Sequence, residues 1–196
     1  MKNNILSLLS KEEQKLLEVK DVDRGTYLFR EGELCSKVSI VVSGGVKIAS
    51  THYSGSEVIF NILESGDIFG NNLIFSDNPV YKGDVVAIND SMIVSISKDN
   101  LTNLLQSNKE FLIAYLNIQS NFGKKLNSTI KMLSMSSAQE RFMFYLHENK
   151  DEINYHSVTD LADILNLKRE TLSRLLTKLE KENVIKRSPH TISKLN

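Results

Sequence analysis

The residues best suited to chemistry lie near the carboxyl end of the chain, in a run of polar and charged side chains. They are Lys168, Arg169, Glu170, Thr171, Ser173 and Arg174. An arginine can donate two hydrogen bonds to O6 and N7 of guanine, and a glutamate can accept one from the amino group of cytosine. This set is therefore a candidate for reading base edges in the major groove of DNA.

Two short helices are predicted to position these side chains. Ser157 can cap the first helix, and Asp160 follows at the spacing of a capping box. Asn166 readily takes the left-handed conformation, so it can form the turn before a second helix from about Lys168. Ala162 is small where the second helix would cross the first. The apolar positions of the pair are Leu161, Ile164, Leu165, Leu172, Leu175, Leu176 and Leu179. This pattern predicts a helix-turn-helix, whose second helix enters the major groove.

The alternative for the charged face is that it is simply the solvated side of an ordinary helix. Against this, residues 165–196 carry eight Lys/Arg and three Asp/Glu, although the whole chain has a formal net charge of zero. Beyond the helices, Val184–Lys186 and Thr191–Leu195 flank a turn at Ser188-Pro189-His190, which predicts a hairpin wing. Lys186 and Arg187 on that wing are candidates for phosphate contacts.

The first half of the chain has the pattern of short strands separated by turns. After a helix predicted over residues 3–18, with a capping box at Ser10 and Glu13, turn signals recur from Gly25 onward, including Ser54-Gly55. The predicted strands are Thr26–Phe29, Val38–Val42, Val46–Ser50, Val58–Ile62, Val85–Ile88 and Met92–Ile96. Short strands at this spacing indicate an antiparallel sandwich or barrel.

A helical period replaces the strand pattern after Asp99, which can cap a short helix. A longer helix then begins near Lys109, and a junction is predicted at Met132–Gln139, before a helix over Glu140–Asn149. Apolar and small polar side chains follow a heptad spacing in the longer helix: Leu112, Tyr115, Gln119, Phe122, Leu126, Thr129 and Leu133. Such a seam favours pairing with a second copy of the helix, and the alternative is packing along the chain's own barrel. Mid-helix Gly123 could let a partner backbone or a ligand approach.

Composition excludes several classes of function. Cys35 is the only cysteine, so the chain has neither an internal disulfide nor the cysteine set of an iron–sulfur centre. No signal peptide and no apolar stretch of membrane-spanning length is evident, which predicts a cytoplasmic protein without a membrane partner. His52 is the only histidine in the predicted barrel, and His147, His156 and His190 share no metal-ligand spacing, so no metal site is expected.

The chain resembles the Crp/Fnr family of bacterial transcription regulators over nearly its whole length. The resemblance lies in RETLSR at Arg169–Arg174, GTYLFREGE at Gly25–Glu33, VSIVVSGGVKI at Val38–Ile48 and GDIFG at Gly66–Gly70. It implies an α+β fold: a cyclic-nucleotide-binding-type antiparallel β-barrel or jelly roll over residues 1–108, a dimerisation helix over 109–133 and a winged helix-turn-helix over 134–196. It also implies that Arg169, Glu170 and Arg174 contact bases, and that a homodimer binds a palindromic operator and RNA polymerase.

The resemblance weakens at the effector site. Members that bind cyclic AMP have a glutamate after the Phe-Gly pair, where this chain has Asn71, and an Arg-Ser pair where it has Tyr81-Lys82. Without that arginine the charge-assisted bonds to a buried phosphate are lost, so cyclic AMP is not expected. Haem is not expected either, because its axial ligand would have to be Cys35 or His52. The pocket candidates are Asn71, Asn72, Tyr81, Lys82 and Thr129, the last matching a threonine that contacts adenine, with Ile130 in place of the neighbouring serine.

Two other classes of function compete with a regulator that senses an unknown effector or none. One is a sensing domain whose C-terminal unit binds protein; the cationic outer face of the second helix argues against it, since such a face should be more apolar. The other is a cupin-like barrel enzyme, which needs a cluster of histidines and carboxylates around a metal. A thiol at Cys35 in a turn is expected to be inert.

Overall fold

A computed structural model of the chain describes residues 5–51 and 57–195. The chain divides into two compact units, Met1–Ser120 and Asn121–Asn196. His52 and the predicted turn at Ser54-Gly55 lie outside the described residues.

The N-terminal unit consists of short helices at both ends of a set of antiparallel strands. A 3-10 helix at Ile5–Leu8 and α1 (Lys11–Gln14) precede the strands, and α2 (Lys98–Ser107) and the first part of α3 (Lys109–Leu133) follow them. The strands are β1 (Glu18–Val22), β2 (Tyr27–Phe29), β3 (Lys37–Ser43), β4 (Gly45–Thr51), β5 (Glu57–Glu64), β6 (Ile68–Phe69), β7 (Asp84–Ala87) and β8 (Ser91–Ser97).

These strands form two four-stranded antiparallel sheets, ordered β1-β8-β3-β6 and β2-β7-β4-β5. Alternation along each strand sends one set of side chains inward, so Val41 and Ile93 of one sheet share a core with Val46 and Val85 of the other. Phe111, on the first turn of α3, joins the same core. The unit is thus a jelly-roll-like barrel, as predicted.

The six predicted strands are all present, and the predicted helix over residues 3–18 is wrong. The helical part stops at α1, whose capping box at Ser10 and Glu13 is confirmed, and Glu18 already begins β1. Strand β1 pairs with β8 at a sheet edge and buries only Val22, while Val19 is 61% exposed. An edge strand with so few inward apolar residues has no alternating apolar pattern, so sequence periodicity could not identify it.

The tight connection between β3 and β4 requires a glycine. Gly44 has a φ of +82°, and a Cβ built there would lie 2.5 Å from the Asp90 carbonyl oxygen and 2.7 Å from Ser91 Cα. We expect Gly44→Ala to lower the free energy of unfolding of this unit by about 3 kcal/mol, because a strained φ is combined with a contact that only backbone movement can relieve. Urea denaturation measures the loss.

Gly32 is the matched control for that substitution. Its φ is +84°, yet a Cβ built there meets nothing within 4 Å. Gly32→Ala should therefore cost about 1–2 kcal/mol, the penalty of the left-handed conformation alone. Equal losses for the two variants would contradict the importance of the close approach at Gly44.

Helix α2 does not begin at the predicted cap, whereas α3 begins where the pattern predicted. The N-cap of α2 is Ser97, whose hydroxyl accepts from the Asn100 N–H, so Asp99 lies in the first turn and is not the cap. Helix α3 spans Lys109–Leu133, the predicted range.

The C-terminal unit packs three further helices against a small sheet. After the end of α3 come α4 (Ala138–Glu148), β9 (Glu152–Asn154), α5 (Val158–Ile164), α6 (Arg169–Lys181), β10 (Ile185–Ser188) and β11 (Thr191–Lys194). A capping box at Ser137 and Glu140 starts α4 two residues earlier than predicted. The sheet order is β10-β11-β9, so β9 adds a third strand, which the sequence did not indicate, to the predicted hairpin. Phe142, Leu146 and Ile192 are fully buried between the helices and this sheet.

Candidate nucleic-acid interface

Helices α5 and α6 form the predicted helix-turn-helix. The Ser157 hydroxyl accepts from the Asp160 N–H at 3.1 Å and caps α5. Asn166 has a φ of +51°, the left-handed conformation predicted for the turn, and the Leu167 N–H donates to the Ala162 carbonyl at 2.9 Å. The fully buried leucines that hold the two helices together are Leu161, Leu165, Leu172, Leu176 and Leu179.

Two of the predicted inward positions are less buried than expected. Ile164 is 49% exposed and Leu175 is only partly buried. The prediction that Ile164 faces inward is wrong, because the neighbouring Leu161 and Leu165 supply the buried row of α5. Leu175 flanks the buried row of α6 and covers its margin.

The outer face of α6 is fully accessible. All six residues singled out for base reading are exposed: Lys168, Arg169, Glu170, Thr171, Ser173 and Arg174. The N-cap Lys168 makes no side-chain cap hydrogen bond. The first N–H groups of α6 thus receive no acceptor from the N-cap side chain, and this end of a helix carries a partial positive charge.

Sequence reasoning missed the continuation of that face toward the end of α6. Lys178 and Lys181 follow Arg174 at spacings of four and three, which places all three on one side of a helix. An open depression of about 500 Å³ lies along this side, lined by these three residues together with Ser173, Thr177 and Glu182. The helical spacing alone could have identified the two lysines.

The two wing residues, Lys186 and Arg187, differ in exposure and in the hydrogen bonds that their side chains make. Lys186 on β10 is exposed. The Arg187 guanidinium is already occupied, since its Nε and Nη2 donate to Glu180 Oε2 at 2.8 and 2.5 Å. These hydrogen bonds hold the pKa of Glu180 below its usual value. Arg187 therefore ties the wing to α6, and Lys186 is the better placed of the two for a phosphate.

The residues of the predicted helix-pairing seam on α3 lie partly in the N-terminal unit and partly in the C-terminal unit. In the N-terminal unit, Tyr115 is buried in the barrel core and Gln119 hydrogen bonds to the loop after β6, so both make contacts within their own chain. Leu112 is partly buried, whereas Ile113 and Leu116, which the heptad omitted, are about half exposed. This part of α3 thus packs one face along the chain's own barrel and leaves another exposed.

In the C-terminal unit the predicted seam residues are all exposed. Phe122, Leu126 and Leu133 are exposed, as an unpaired interface requires. Thr129 and the neighbouring Ile130 are exposed as well, and the Thr129 hydroxyl donates to the Lys125 carbonyl. A Cβ built at Gly123 meets nothing within 4 Å, so a partner backbone could approach there.

The candidate effector residues of the barrel are partly committed to contacts within the chain. Asn71 is buried, its side-chain amide donates to Gln119 Oε1 at 2.6 Å, and Gln119 Nε2 donates to the Asn71 carbonyl at 2.7 Å. The Tyr115 hydroxyl donates to the same carbonyl at 3.4 Å, and burial raises the pKa of Tyr115 to about 12. The loop after β6 is therefore fastened to α3 by uncharged hydrogen bonds.

The other candidates differ in how exposed their side chains are. Tyr81 is buried and stacks on Phe29 with ring centroids 4.4 Å apart. Asn72, Lys82 and Thr129 are exposed, and Thr129 belongs to the other unit.

The thiol of Cys35 lies beside the Tyr81 hydroxyl in the barrel core. Burial raises the pKa of Cys35 and that of Tyr81. The thiol donates to the Lys37 carbonyl at 3.4 Å. A buried thiol with a raised pKa has little thiolate, which supports the expectation that it is inert.

Across residues 5–51 and 57–195, no three His, Cys, Asp or Glu side chains lie close enough together to hold a metal ion. None of the helices in those ranges has both the length and the apolar character to cross a bilayer.

Two protein families match the chain, one in each unit's region. Residues 19–108 match the cyclic nucleotide-binding domain, and residues 139–196 match the Crp-like helix-turn-helix domain. Similar proteins include the anaerobic regulatory protein of Bacillus subtilis, 26% identical over 91% of this chain and 81% of that protein. The cyclic AMP receptor protein of Thermus thermophilus is 25% identical over 86% of this chain and 80% of its own length.

A solved structure shows the same fold. A CooA mutant from Carboxydothermus hydrogenoformans superposes with a TM-score of 0.76 and 19% identity, over 100% of this chain and 93% of that one. The predicted order of barrel, long helix and winged helix-turn-helix is thereby confirmed.

Proposed function

Because this chain belongs to the Crp/Fnr family of DNA-binding transcription regulators, we propose that it acts as a homodimer that reads a palindromic operator with the outer face of α6. The observation that carries the proposal is the contrast between the two sides of this helix. Leu172, Leu176 and Leu179 are fully buried, while the charged and polar residues of the first two turns are all exposed. A rigidly held helix with such a face can enter a major groove.

The proposed mechanism depends on the spacing of two such helices. Exposed apolar residues of α3 would pair two chains, and the two α6 helices would then lie about 34 Å apart, one turn of B-DNA. Arg169, Glu170 and Arg174 would read bases, and Lys168, Thr171 and Ser173 would add backbone or base contacts. The proposal makes the chain a regulator and not an enzyme, working on DNA in the cytoplasm and together with RNA polymerase.

Selection from random DNA tests this function. Purified protein should enrich a sequence with two inverted half-sites, and a gel shift should show a complex containing two chains. Enrichment of no sequence, or of one half-site bound by one chain, would contradict the proposal. In vitro transcription from a promoter carrying the selected operator would test the contact with RNA polymerase.

Lys186→Ala should weaken binding to every DNA sequence alike. An exposed lysine on the wing would neutralise a phosphate without reading a base, so its loss removes one released counterion per chain. The slope of log affinity against log salt concentration should become shallower by about one for each chain. Fluorescence anisotropy at several salt concentrations, on the operator and on random DNA, measures this. A loss confined to the operator would assign Lys186 to base reading instead.

We also propose that the barrel responds to an effector other than cyclic AMP, or needs none. Three features support this: Asn71 is already hydrogen-bonded to Gln119, Tyr81 is stacked on Phe29, and Lys82 is exposed. None of these supplies the planar cationic fork that holds a buried phosphate. Cyclic AMP should therefore give no binding heat in calorimetry and leave operator affinity unchanged. Micromolar binding that strengthens the operator complex would contradict this, and native mass spectrometry would reveal any other co-purified molecule.

A further inference from the structure

Arg141 lies where two helices of the C-terminal unit end. It is part of the first turn of α4, and its side chain is half-buried. Its Nε donates to the Met135 carbonyl at 3.0 Å, and its Nη1 donates to the Asn166 carbonyl at 3.2 Å. Met135 follows the end of α3 by two residues, and Asn166 follows the end of α5 by two.

Both carbonyls are of the kind that a cation stabilises. Each lies two residues beyond the end of a helix, where the last carbonyl groups of that helix create a partial negative charge. One guanidinium can donate to two such carbonyls at once because its donors form a rigid planar fork. A lysine ammonium is a point charge on a flexible stem, so it cannot hold the same two groups at a fixed separation.

The two carbonyls belong to segments with different tasks. The Met135 segment leads directly out of α3, whose exposed apolar residues are proposed to pair two chains. Asn166, with its left-handed φ, lies in the turn between α5 and α6. The backbone that carries Arg141 is itself held in place, because the adjacent Phe142 is fully buried.

We propose that Arg141 is a positioning residue for DNA recognition: it holds the turn of the helix-turn-helix against the segment that leaves the pairing helix. Through this link the direction of α6 is fixed relative to the C-terminal end of α3. The two α6 helices of a dimer are then held at one separation and one rotation. This inference rests on the dimeric reading of DNA proposed above.

The preference for half-site spacing separates positioning from plain stabilisation. One inserted base pair moves a half-site by about 3.4 Å and rotates it by about a tenth of a turn. A variant that is merely less stable binds every operator more weakly by the same factor. A variant that has lost the Arg141 hydrogen bonds binds the selected operator more weakly, but it loses less affinity when a base pair is inserted.

The experiment compares the selected operator with versions lengthened or shortened by one central base pair. Arg141→Met should bind the selected operator about tenfold more weakly, with less than a twofold change on random DNA. Its penalty for altered spacing should be about tenfold smaller than that of the unsubstituted protein. Arg141→Lys keeps the charge and should also lose most of the spacing preference. Lys150→Met removes an exposed charge just beyond the other end of α4 and should leave the preference unchanged.

The outcomes are distinguishable from failure of the proposed function. If the unsubstituted protein shows no spacing preference, the dimeric reading fails and the inference fails with it. If that preference exists and both Arg141 variants retain it, only the inference is overturned. Thermal melting of each variant checks folding, and Arg141→Lys carries the test alone if Arg141→Met does not fold.

Discussion

Arg169→Ala is expected to weaken binding to the operator by roughly 1–3 kcal/mol for each half-site, or about 5- to 150-fold. The side chain is exposed at the first residue of α6, where a helix in the major groove meets base edges. Alanine cannot supply the paired hydrogen bonds that an arginine makes with guanine. Binding to random DNA should fall much less, because only one charge is removed. Anisotropy titrations on both kinds of DNA measure the two losses.

Lys181→Ala is the matched control for this prediction. It removes one positive charge from the same helix, but from the last residue of α6, and its side chain is also exposed. A lysine there should affect operator and random DNA to a similar extent. If Arg169→Ala weakened both DNAs equally, as the control does, Arg169 would be a phosphate contact and the proposed base reading would be wrong.

Leu161→Ala should destabilise the C-terminal unit by about 2–5 kcal/mol. Leu161 is fully buried in the core formed by α4, α5 and α6, so its truncation leaves a cavity between helices that cannot close completely. Domains are commonly stable by only about 5–15 kcal/mol, so this loss is a large fraction of the free energy of unfolding of the C-terminal unit. Hydrogen exchange of amides in α5 and α6 reports the change within this unit.

The control lies one turn further along the same helix. Ile164 is 49% exposed, so Ile164→Ala removes much less buried surface and should cost less than about 1 kcal/mol. A similar loss for both variants would mean that the two side chains contribute equally to the core, against the burial described above.

The helix-turn-helix was predictable because its rules are local. The leucine spacing identified the buried rows of α5 and α6, Ser157 the cap, and Asn166 the one left-handed residue between the helices. Ile164 was misplaced because its apolar side chain fits the helical spacing, although Leu161 and Leu165 alone supply the buried row of α5.

The central helix was predictable in extent and not in partner. A heptad spacing indicates which residues share a face, but it does not say whether that face meets a second chain or the same chain. Tyr115 and Gln119 fit the heptad, and both make contacts within the barrel unit. Gln119 is held by Asn71, which is 48 residues away in sequence, and no local rule connects the two.

The barrel strands were predicted where apolar side chains alternate, and missed where pairing alone defines them. Strand β1 leaves four of its five residues exposed and is held by β8 at the sheet edge. The two-residue strand β6 is recognised only through its pairing with β3. Such strands depend on hydrogen bonds to distant backbone, which composition does not reveal.

The most direct measurement compares a complete selected operator with a single half-site, recording affinity and the number of chains bound by sedimentation. If two copies of α6 insert together, the complete site should bind two chains at least about a hundredfold more tightly than the half-site. One chain on each DNA, with equal affinity for both, would contradict the account.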